Sequence, residues 1–230
     1  MLTDRQRLFL EDKRASLVAS LGEQRGLEEL RHVLNYIEAN IPLKFIDFSF
    51  DQYDVEIGDP TAKRKVEEYS NQIDEMLKRG AGLYLCGDHG RGKSILACEV
   101  LKTAVRKGYS AYFITMGEIV ETFTEAWFSS DARKFLVERI SSVEYLVIDE
   151  VMNEYAGKIE ILRAAFNSMF RPRSNNLCCT ILTANKPMQE IETFYGELLS
   201  SLVKESLRQI VFMPGPDYRE KLGSNLHGKS

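Results

Sequence analysis

Apolar residues recur at three- and four-residue steps through the first forty positions, which is the spacing of helices with one apolar face. The recurring positions are Leu10, Leu17, Leu21, Leu27, Leu30, Leu34 and Ile37. Gly22 and Gly26 divide the pattern, and Ile41 with Pro42 ends it. The sequence therefore predicts a helical N-terminal module of two helices at residues 1–40.

Aromatic residues and aspartates are frequent in the next segment, residues 41–62. The aromatic positions are Phe45, Phe48, Phe50 and Tyr53. We interpret this segment as a linker held against the domain that follows. Beyond it, the pattern predicts an amphipathic helix that includes Val66 and Leu77 and ends at Gly80.

Short apolar runs then alternate with helical patterns, as expected for parallel strands with crossover helices on both faces of a sheet. The predicted strands are residues 83–86, 111–114, 145–148, 178–182 and 210–213. The predicted fold class is α/β, with a five-stranded parallel sheet flanked by helices within residues 63–219. The small polar residues of 220–230 predict a flexible tail.

The first predicted strand runs directly into a glycine-rich turn and a helix. The turn, Gly87-Asp88-His89-Gly90-Arg91-Gly92-Lys93-Ser94, matches the phosphate-loop pattern G-x-x-x-x-G-K-[ST]. In such a loop, backbone N–H groups and a helix N-terminus face phosphate oxygens. Lys93 is the candidate ligand of the β- and γ-phosphates, and Ser94 is the candidate ligand of Mg²⁺. The candidate ATP-binding residues are Gly87, Asp88, His89, Gly90, Arg91, Gly92, Lys93, Ser94 and Ile95.

Polar side chains end two further strands, at the sheet edge where the phosphates are expected. Asp149 is a candidate Mg²⁺ residue, and Glu150 is the candidate general base that orients or deprotonates the attacking water. Asn185 is a candidate sensor of the γ-phosphate; alternatively, it is a capping residue before Lys-Pro. The presence of the other two motifs favours the sensor role.

Composition mainly excludes certain classes of protein and site. No apolar run approaches the ~18 residues that a membrane helix needs, and the charged N-terminus does not resemble a secretory signal, so we expect a cytoplasmic protein without a membrane partner. The four cysteines lack Cys-x-x-Cys spacing, which implies neither zinc nor disulfides. A net charge of -4 provides no global attraction to nucleic acid, so any DNA contact would need a local patch.

Several basic residues are candidates for such a patch. They are Lys102, Arg106, Lys107, Arg133, Lys134, Arg171 and Arg173. Charge at such positions is most often a solvated face, so these residues alone do not favour a DNA contact. Trp127 shares an apolar helix face with Ile119 and Phe123, which favours a core position over a base-stacking one.

Five features in one order carry a family resemblance. They are Ile41 with Pro42 and the aromatic segment, the phosphate loop, Ile148-Asp149-Glu150, Thr183-Ala184-Asn185, and Gly215-Pro216-Asp217-Tyr218-Arg219. Together they resemble bacterial replicative-helicase loaders of the DnaC type and the related IstB transposition helpers. The resemblance implies a P-loop NTPase of the AAA+ type without the usual helical lid, which binds Mg-ATP. It also implies that residues 1–40 bind a replicative helicase. It further implies that the protein binds single-stranded DNA and associates with copies of itself.

One position departs from the family pattern. Family members carry Ser-Arg-Leu or Asp-Arg-Leu near the last strand, where the arginine reaches a neighbouring ATP site, whereas this chain has Ser200-Ser201-Leu202. Lys204 and Arg208 are the alternative cations, although lysine lacks the planar fork of arginine. Because such a finger is worth ~10³–10⁵ in rate, its loss predicts a slow ATPase or a nucleotide-gated switch. Residues 41–48 are the candidate adenine contacts, by position only.

The leading hypothesis is an ATP-dependent loader that helps place a replicative helicase on single-stranded DNA during DNA replication. One alternative is a transposition helper that binds duplex DNA and stimulates a transposase. Another is an interaction module that binds ATP without hydrolysing it. A small-molecule kinase is disfavoured because no arginine-rich lid segment lies between the second and fourth strands.

Overall fold

The computed structural model describes residues 2–55, 58–152, 159–212, 214, 215 and 217, and at position 198 it describes the backbone only. The helices are α1 Asp4–Leu21, α2 Glu23–Glu38, α3 Leu43–Ile46, α4 Pro60–Asn71, α5 Ile73–Arg79, α6 Lys93–Arg106, α7 Met116–Glu125, α8 Ser130–Phe135, α9 Ile159–Asn175, α10 Ile191–Tyr195 and α11 Glu197–Ser206. The strands are β1 Gly82–Cys86, β2 Ala111–Thr115, β3 Tyr145–Val151, β4 Cys179–Ala184 and β5 Leu207–Val211. Short 3₁₀ turns cover Phe50–Gln52 and Met188–Glu190, and a π-helical segment, Leu136–Ser141, follows α8.

The five strands form one parallel sheet in the order β2-β3-β4-β1-β5, which confirms the predicted sheet. Alternate residues of β1 enter two different apolar clusters. Leu83 and Leu85 pack with α2, α4 and α6 on one face, while Tyr84 and Cys86 pack with α7, α9, α10 and α11 on the other. Both faces are therefore covered by helices, as a parallel sheet requires.

The last strand begins earlier than the sequence predicts. β5 pairs with β1 from Leu207 opposite Gly82 to Val211 opposite Cys86, whereas the apolar run predicts residues 210–213. Leu207 and Ile210 are buried, but Arg208 and Val211 are exposed, because β5 is an edge strand. Because Arg208 and Gln209 interrupt the apolar run, the sequence pattern does not indicate where β5 begins.

The two N-terminal helices form a hairpin whose break lies at Gly22, with φ of 79°. Gly26, the second predicted divider, lies inside α2 instead. A Cβ atom at Gly26 would lie 2.8 Å from the backbone of Val18. Gly26 therefore lets α1 and α2 cross closely and does not end a helix.

The two helices differ in how they meet the rest of the fold. α2 buries Val33, Tyr36 and Ile37 in the cluster that contains α6, and Glu29 pairs with Arg106 of α6 at 2.8 Å. α1 has no fully buried residue and lies outside α2. α2 is thus part of the sheet domain's packing, whereas α1 is an outer helix.

The helix predicted to end at Gly80 consists of two helices. Asp59 caps α4 by accepting hydrogen bonds from the backbone N–H groups of Thr61 and Ala62, and Pro60 occupies the first turn. The chain breaks at Gln72, and α5 then ends at Gly80 in the left-handed conformation, with φ of 60°. The predicted end at Gly80 is confirmed.

Arg173 is a core residue and not part of a basic surface. Its guanidinium donates to Thr180 Oγ1 at 2.9 Å and to the carbonyl oxygens of Ile140, Val143 and Cys179 at 2.9, 2.8 and 2.6 Å. The side chain is completely buried. It joins α9, the π-helical segment and β4, so Arg173 was wrongly placed among the DNA-binding candidates.

Replacing Arg173 with alanine should lower the free energy of unfolding by about 3–5 kcal/mol, because three buried carbonyl oxygens lose their donor. Urea denaturation followed by circular dichroism would measure the change. Arg171→Ala is the matched control, since Arg171 lies on the exposed side of the same helix. Its change should stay within about 0.5 kcal/mol. Equal stability of the two variants would contradict the structural role of Arg173.

Candidate nucleotide-binding site

Three glycines turn the chain sharply between β1 and α6. Gly87, Gly90 and Gly92 have φ of 148°, 69° and 84°, in a region that residues with a side chain rarely adopt. A Cβ atom at Gly87 would lie 2.8 Å from the backbone oxygen of Phe212. The glycines of the phosphate-loop motif therefore meet both a conformational and a packing requirement.

Tyr53 supports this loop from behind. Its buried hydroxyl donates to the carbonyl oxygen of Arg91 at 2.9 Å and accepts from the backbone N–H of Asp59 at 3.0 Å. A Cβ atom at Gly92 would lie 2.7 Å from its ring, and one at Gly58 would lie 2.2 Å from it. The aromatic pattern of residues 41–62 predicts a linker and does not indicate this supporting role of Tyr53. Gly58 and Gly92 make room for the ring, but the sequence alone does not show that these glycines contact Tyr53.

The segment after β5 covers the same side of the loop. A Cβ atom at Gly90 would lie 1.9 Å from the Asp217 carboxylate, and one at Gly215 would lie 2.7 Å from the guanidinium of Arg91, which is buried. The other residues of the final family motif, Pro216, Tyr218 and Arg219, lie outside the described residues, as do 220–230. The described residues after β5 form no helix.

Lys93 and Ser94 open α6 directly below the loop. The ammonium of Lys93 is almost buried and donates to the carbonyl oxygens of Gly87 at 2.8 Å and Asp88 at 2.6 Å. The hydroxyl of Ser94 donates to Asp149 Oδ1 at 2.8 Å. The first turn of α6 thus joins the phosphate loop to the end of β3.

The Asp149 carboxylate also accepts a hydrogen bond from Thr183 of β4. A bulge between Ile148 and Val151 interrupts the pairing of β3 with β4. Within it, Glu150 has φ of 61°, its N–H donates to Thr183 Oγ1 at 3.0 Å, and its side chain is exposed. A left-handed backbone at a residue other than glycine is a feature of functional sites. Here it allows successive carboxylates to take different directions.

The amide of Asn185 lies 3.1 Å from Nε2 of His89, so the end of β4 reaches the phosphate loop. One cavity of about 590 Å³ includes all three motifs. It is lined by Pro42, Lys44, Phe45, His89, Gly90, Arg91, Gly92, Lys93, Ser94, Ile95, Phe113, Thr115, Asp149, Glu150, Thr183 and Asn185. The structure therefore brings most of the sequence-predicted site residues to one place. It also adds Phe113 and Thr115, which no motif identifies, and includes Pro42, Lys44 and Phe45 from the segment 41–48.

The oxygen atoms of Ser94 and Asp149 are hard ligands of the kind that Mg²⁺ prefers. Among the described residues, no group of three or more His, Cys, Asp or Glu side chains is arranged to hold a metal ion by itself. Mg²⁺ is usually held by one or two protein oxygens together with substrate phosphates and water. The donor set therefore fits Mg²⁺ bound together with a nucleotide.

The residues considered for an arginine finger lie away from this cavity. Ser200 is buried in α11, and Ser201 is exposed beside it. The ammonium of Lys204 lies 3.9 Å from the carboxylate of Glu192, and Arg208 is exposed on the edge strand β5. None of these four residues lines the chain's own nucleotide cavity.

Most of the basic residues proposed for DNA binding are engaged elsewhere. Lys102 is buried against α3, Arg106 pairs with Glu29, and Lys107 pairs with Asp74 at 2.8 Å. The cluster around Lys102 is therefore not a free basic patch. Lys102 and Arg173 are buried, whereas Arg106, Lys107, Arg133, Lys134 and Arg171 remain exposed, and the Lys134 ammonium lies 3.9 Å from the Glu138 carboxylate.

Trp127 is exposed, which shows that its predicted core position is wrong. It retains 61% of its accessible surface, and neighbouring Phe128 retains 88%. Both follow the end of α7, where the chain turns into α8, so the helical periodicity that suggested burial no longer applies. Arg133 donates to the carbonyl oxygen of Ala126 at 2.7 Å and thereby supports this turn.

Among the residues that the structure describes, no helix is both long and apolar enough to span a bilayer.

Comparison with known proteins gives relatives in two groups. The replicative helicase loader DnaC of Escherichia coli strain K12 is 26% identical over 176 residues, which cover 76% of this chain and 70% of that protein. An insertion sequence IS21-like putative ATP-binding protein of Bacteroides fragilis is 25% identical over 202 residues, or 86% of this chain and 73% of the relative.

A crystal structure of the DnaC helicase loader superposes with a TM-score of 0.64 at 20% identity, covering 74% of this chain and 99% of that one. At this identity the similarity shows a shared fold, a P-loop core of the AAA+ type. The family of IstB-like ATP binding proteins matches residues 12–212, which includes every element from α2 to β5. The chain belongs to the IstB-like ATP binding protein family, whose relatives include DnaC helicase loaders and IS21-type ATP-binding proteins.

Proposed function

We propose that this protein is an ATPase that binds Mg-ATP and helps to place a replicative helicase on single-stranded DNA during DNA replication. The observation that carries the ATPase part is the single cavity shared by the phosphate loop, the Ser94–Asp149 pair, Glu150 and Asn185. The loader part is supported by the similarity to DnaC and by an outer N-terminal helix. Such a role would be carried out in the cytoplasm.

The site supports hydrolysis of the terminal phosphate. Lys93 would transfer its hydrogen bonds from the loop carbonyls to the β- and γ-phosphates. Mg²⁺ held through Ser94 and Asp149 would neutralise charge on those phosphates. Glu150 would accept the proton of a water whose oxygen attacks the γ-phosphorus while the bond to the β–γ bridging oxygen breaks, which gives ADP and phosphate. Asn185, beside His89, would sense the γ-phosphate.

Lys93→Ala should abolish ATP binding, because the loop then loses its only lysine. Glu150→Gln should retain ATP binding but lower turnover at least ~10²-fold, in the range of general base catalysis. Calorimetry with ATP and Mg²⁺ and a phosphate-release assay would measure the two effects. Glu121→Gln, an exposed carboxylate on α7, is the control and should match the wild type. Tight ATP binding without turnover, with helicase and DNA present, would instead identify a non-hydrolysing interaction module.

The N-terminal hairpin carries exposed apolar residues that suit partner binding. Leu8 and Leu21 of α1 and Leu27 of α2 retain 62%, 45% and 43% of their accessible surface. α2 is anchored on α6, whereas α1 has no fully buried residue and packs on the core only through partly buried side chains such as Phe9, Leu10 and Leu17. The exposed positions of α1 can therefore contact another protein without loss of the core. We therefore propose that residues 1–40 contact the helicase through these exposed leucines.

The double variant Leu8→Ala and Leu21→Ala should weaken capture of a purified replicative helicase about tenfold or more, because each truncation removes apolar area that binding would bury. Biolayer interferometry with immobilised helicase would measure the dissociation constant. Leu177→Ala removes an equally exposed leucine from the loop before β4 and should have no effect. Unchanged capture by the double variant would argue against the hairpin as the helicase contact.

Exposed aromatic and basic side chains meet at one corner of the fold. Trp127 and Phe128 lie next to α8, which carries Arg133 and Lys134. Aromatic platforms combined with positive charge are how proteins bind single strands without sequence preference. We propose that this corner, residues 127–134, contributes the single-stranded DNA contact.

Trp127→Ala with Phe128→Ala should weaken binding to an oligothymidylate at least about 30-fold, because two platforms are lost at ~1–3 kcal/mol per stacked base. Fluorescence anisotropy with Mg-ATP present would measure the loss. The Leu8 and Leu21 variant is the control here and should bind DNA normally, while the aromatic variant should capture helicase normally. Equal DNA affinity of wild type and the aromatic variant would exclude residues 127–134 as the contact.

A transposition helper is the second candidate function, supported by the family match and by the IS21-type relative. It differs in the nucleic acid it binds and in the partner that it stimulates. Cooperative, salt-dependent binding to duplex DNA, together with stimulation of a transposase and no affinity for helicase, would select it.

A further inference from the structure

Lys44 is a cationic side chain in the nucleotide cavity that no motif accounts for. It lines the cavity together with Ser94, Asp149 and Glu150. Its ammonium lies 4.8 Å from the centre of the Phe45 ring, and among the described residues it forms no ion pair with a carboxylate. A lysine in this position has its charge available for an anion bound in the cavity.

Contacts at the end of β2 show from which side Lys44 approaches. The Asn40 amide donates to the carbonyl oxygen of Phe113 at 2.9 Å, which holds the start of the segment against β2. Phe113 and Thr115 both line the cavity, and Thr115 pairs with Asp149 across the β2–β3 ladder. Lys44 therefore enters on the side of the Asp149 carboxylate.

Tyr53, Gly215 and Asp217 contact the phosphate loop at Gly90, Arg91 and Gly92. The thiol of Cys98, further along α6, is buried. Burial raises the pKa of this thiol well above its usual range, Asp149 and Glu99 raise it further, and Lys102 and, least of all, Lys44 lower it. Asp149 and Lys44 thus both act on the same point of α6, whose first turn carries Lys93 and Ser94.

A second lysine fixes the position of the first. Lys102 is buried in α6, and its ammonium donates to the carbonyl oxygens of Phe45 at 3.0 Å, Ile46 at 3.3 Å and Phe48. It also pairs with Glu99, whose pKa burial raises to about 7, although Lys102 acts to lower it. A buried ammonium is costly unless it is fully bonded, so these contacts hold α3 firmly on α6.

We propose that Lys44 binds the terminal phosphate of ATP within the same chain, and that Lys102 is the positioning residue that holds Lys44 at the cavity. The inference rests on the proposed ATPase function. During hydrolysis Lys44 keeps its proton and neutralises charge on the γ-phosphate oxygens, while the proton of the attacking water passes to Glu150. A cation in this position partly replaces the arginine finger whose expected place is held by Ser201.

The size of the effect follows from the chemistry of lysine. An arginine finger contributes ~10³–10⁵ in rate, but lysine is a hydrated point charge without the bidentate fork. We therefore expect Lys44→Ala to lower kcat about 10- to 100-fold. The affinity for ADP should stay within about twofold, because ADP lacks the phosphate that Lys44 contacts, whereas the affinity for ATP should fall.

The experiment compares wild type, Lys44→Ala, Lys44→Arg and Lys78→Ala in steady-state hydrolysis and in calorimetric titrations with ATP and with ADP. Lys44→Arg retains the charge and should restore most of the rate and of the preference for ATP over ADP. Lys78 is an exposed lysine on α5 that pairs with Glu75, and its replacement should change neither quantity. The ratio of ATP to ADP affinity is a readout that does not depend on turnover.

Lys102→Met tests the positioning role. With Lys44 intact, this variant should shift the ATP to ADP affinity ratio in the same direction as Lys44→Ala. If Lys102→Met does not fold, the Lys44 variants still test whether Lys44 binds the terminal phosphate, because Lys44 is exposed and its replacement leaves the core intact. A Lys44→Ala protein with wild-type kcat and wild-type ATP preference would overturn the inference and leave the ATPase proposal intact. A wild type without ATP binding would overturn both.

Discussion

The Asp149 carboxylate accepts hydrogen bonds from Ser94 and from Thr183, and the rest of the site depends on this pair of bonds. Ser94 follows β1 through the phosphate loop, Asp149 lies near the carboxyl end of β3, and Thr183 belongs to β4. These strands are adjacent in the order β3-β4-β1, so their carboxyl ends meet at one edge. The bulge that follows Ile148 then directs Glu150 outward while Asp149 stays inside.

The segment before the sheet is built into the site and does not only connect to it. Tyr53 supports the phosphate loop through the Arg91 carbonyl, and Lys102 holds α3 so that Lys44 and Phe45 line the cavity. Because α2 packs on α6 and α1 packs on α2, the N-terminal hairpin is joined to the helix that carries the candidate phosphate-binding residues Lys93 and Ser94. Under the proposed function, this packing connects the nucleotide site with the N-terminal helices that are proposed to contact the helicase.

Some residues that the sequence pattern places on the surface are buried in the fold, and one that it places in the core is exposed. Lys102 and Arg173 are basic residues at the ends of amphipathic helices, and both are buried by contacts with backbone carbonyls. Trp127 shows the reverse, since an apolar residue that seems to continue a helical face lies beyond the end of α7 and is exposed. The partners of Lys102 and several of those of Arg173 come from segments distant in the chain, whereas the exposure of Trp127 follows from the nearby end of α7.

The sequence by itself determined the parallel α/β sheet and the phosphate loop, because strand and helix periodicities and the glycine spacing around Lys93 are local properties. It also identified Asp149 and Glu150 through the buried strand that precedes them. Only the tertiary structure decided that Tyr53 backs the loop, that Lys44 enters the cavity, and that Lys102 and Arg173 are internal. These features depend on hydrogen bonds between residues up to tens of positions apart, and no local pattern records which carbonyl a buried ammonium or guanidinium will meet.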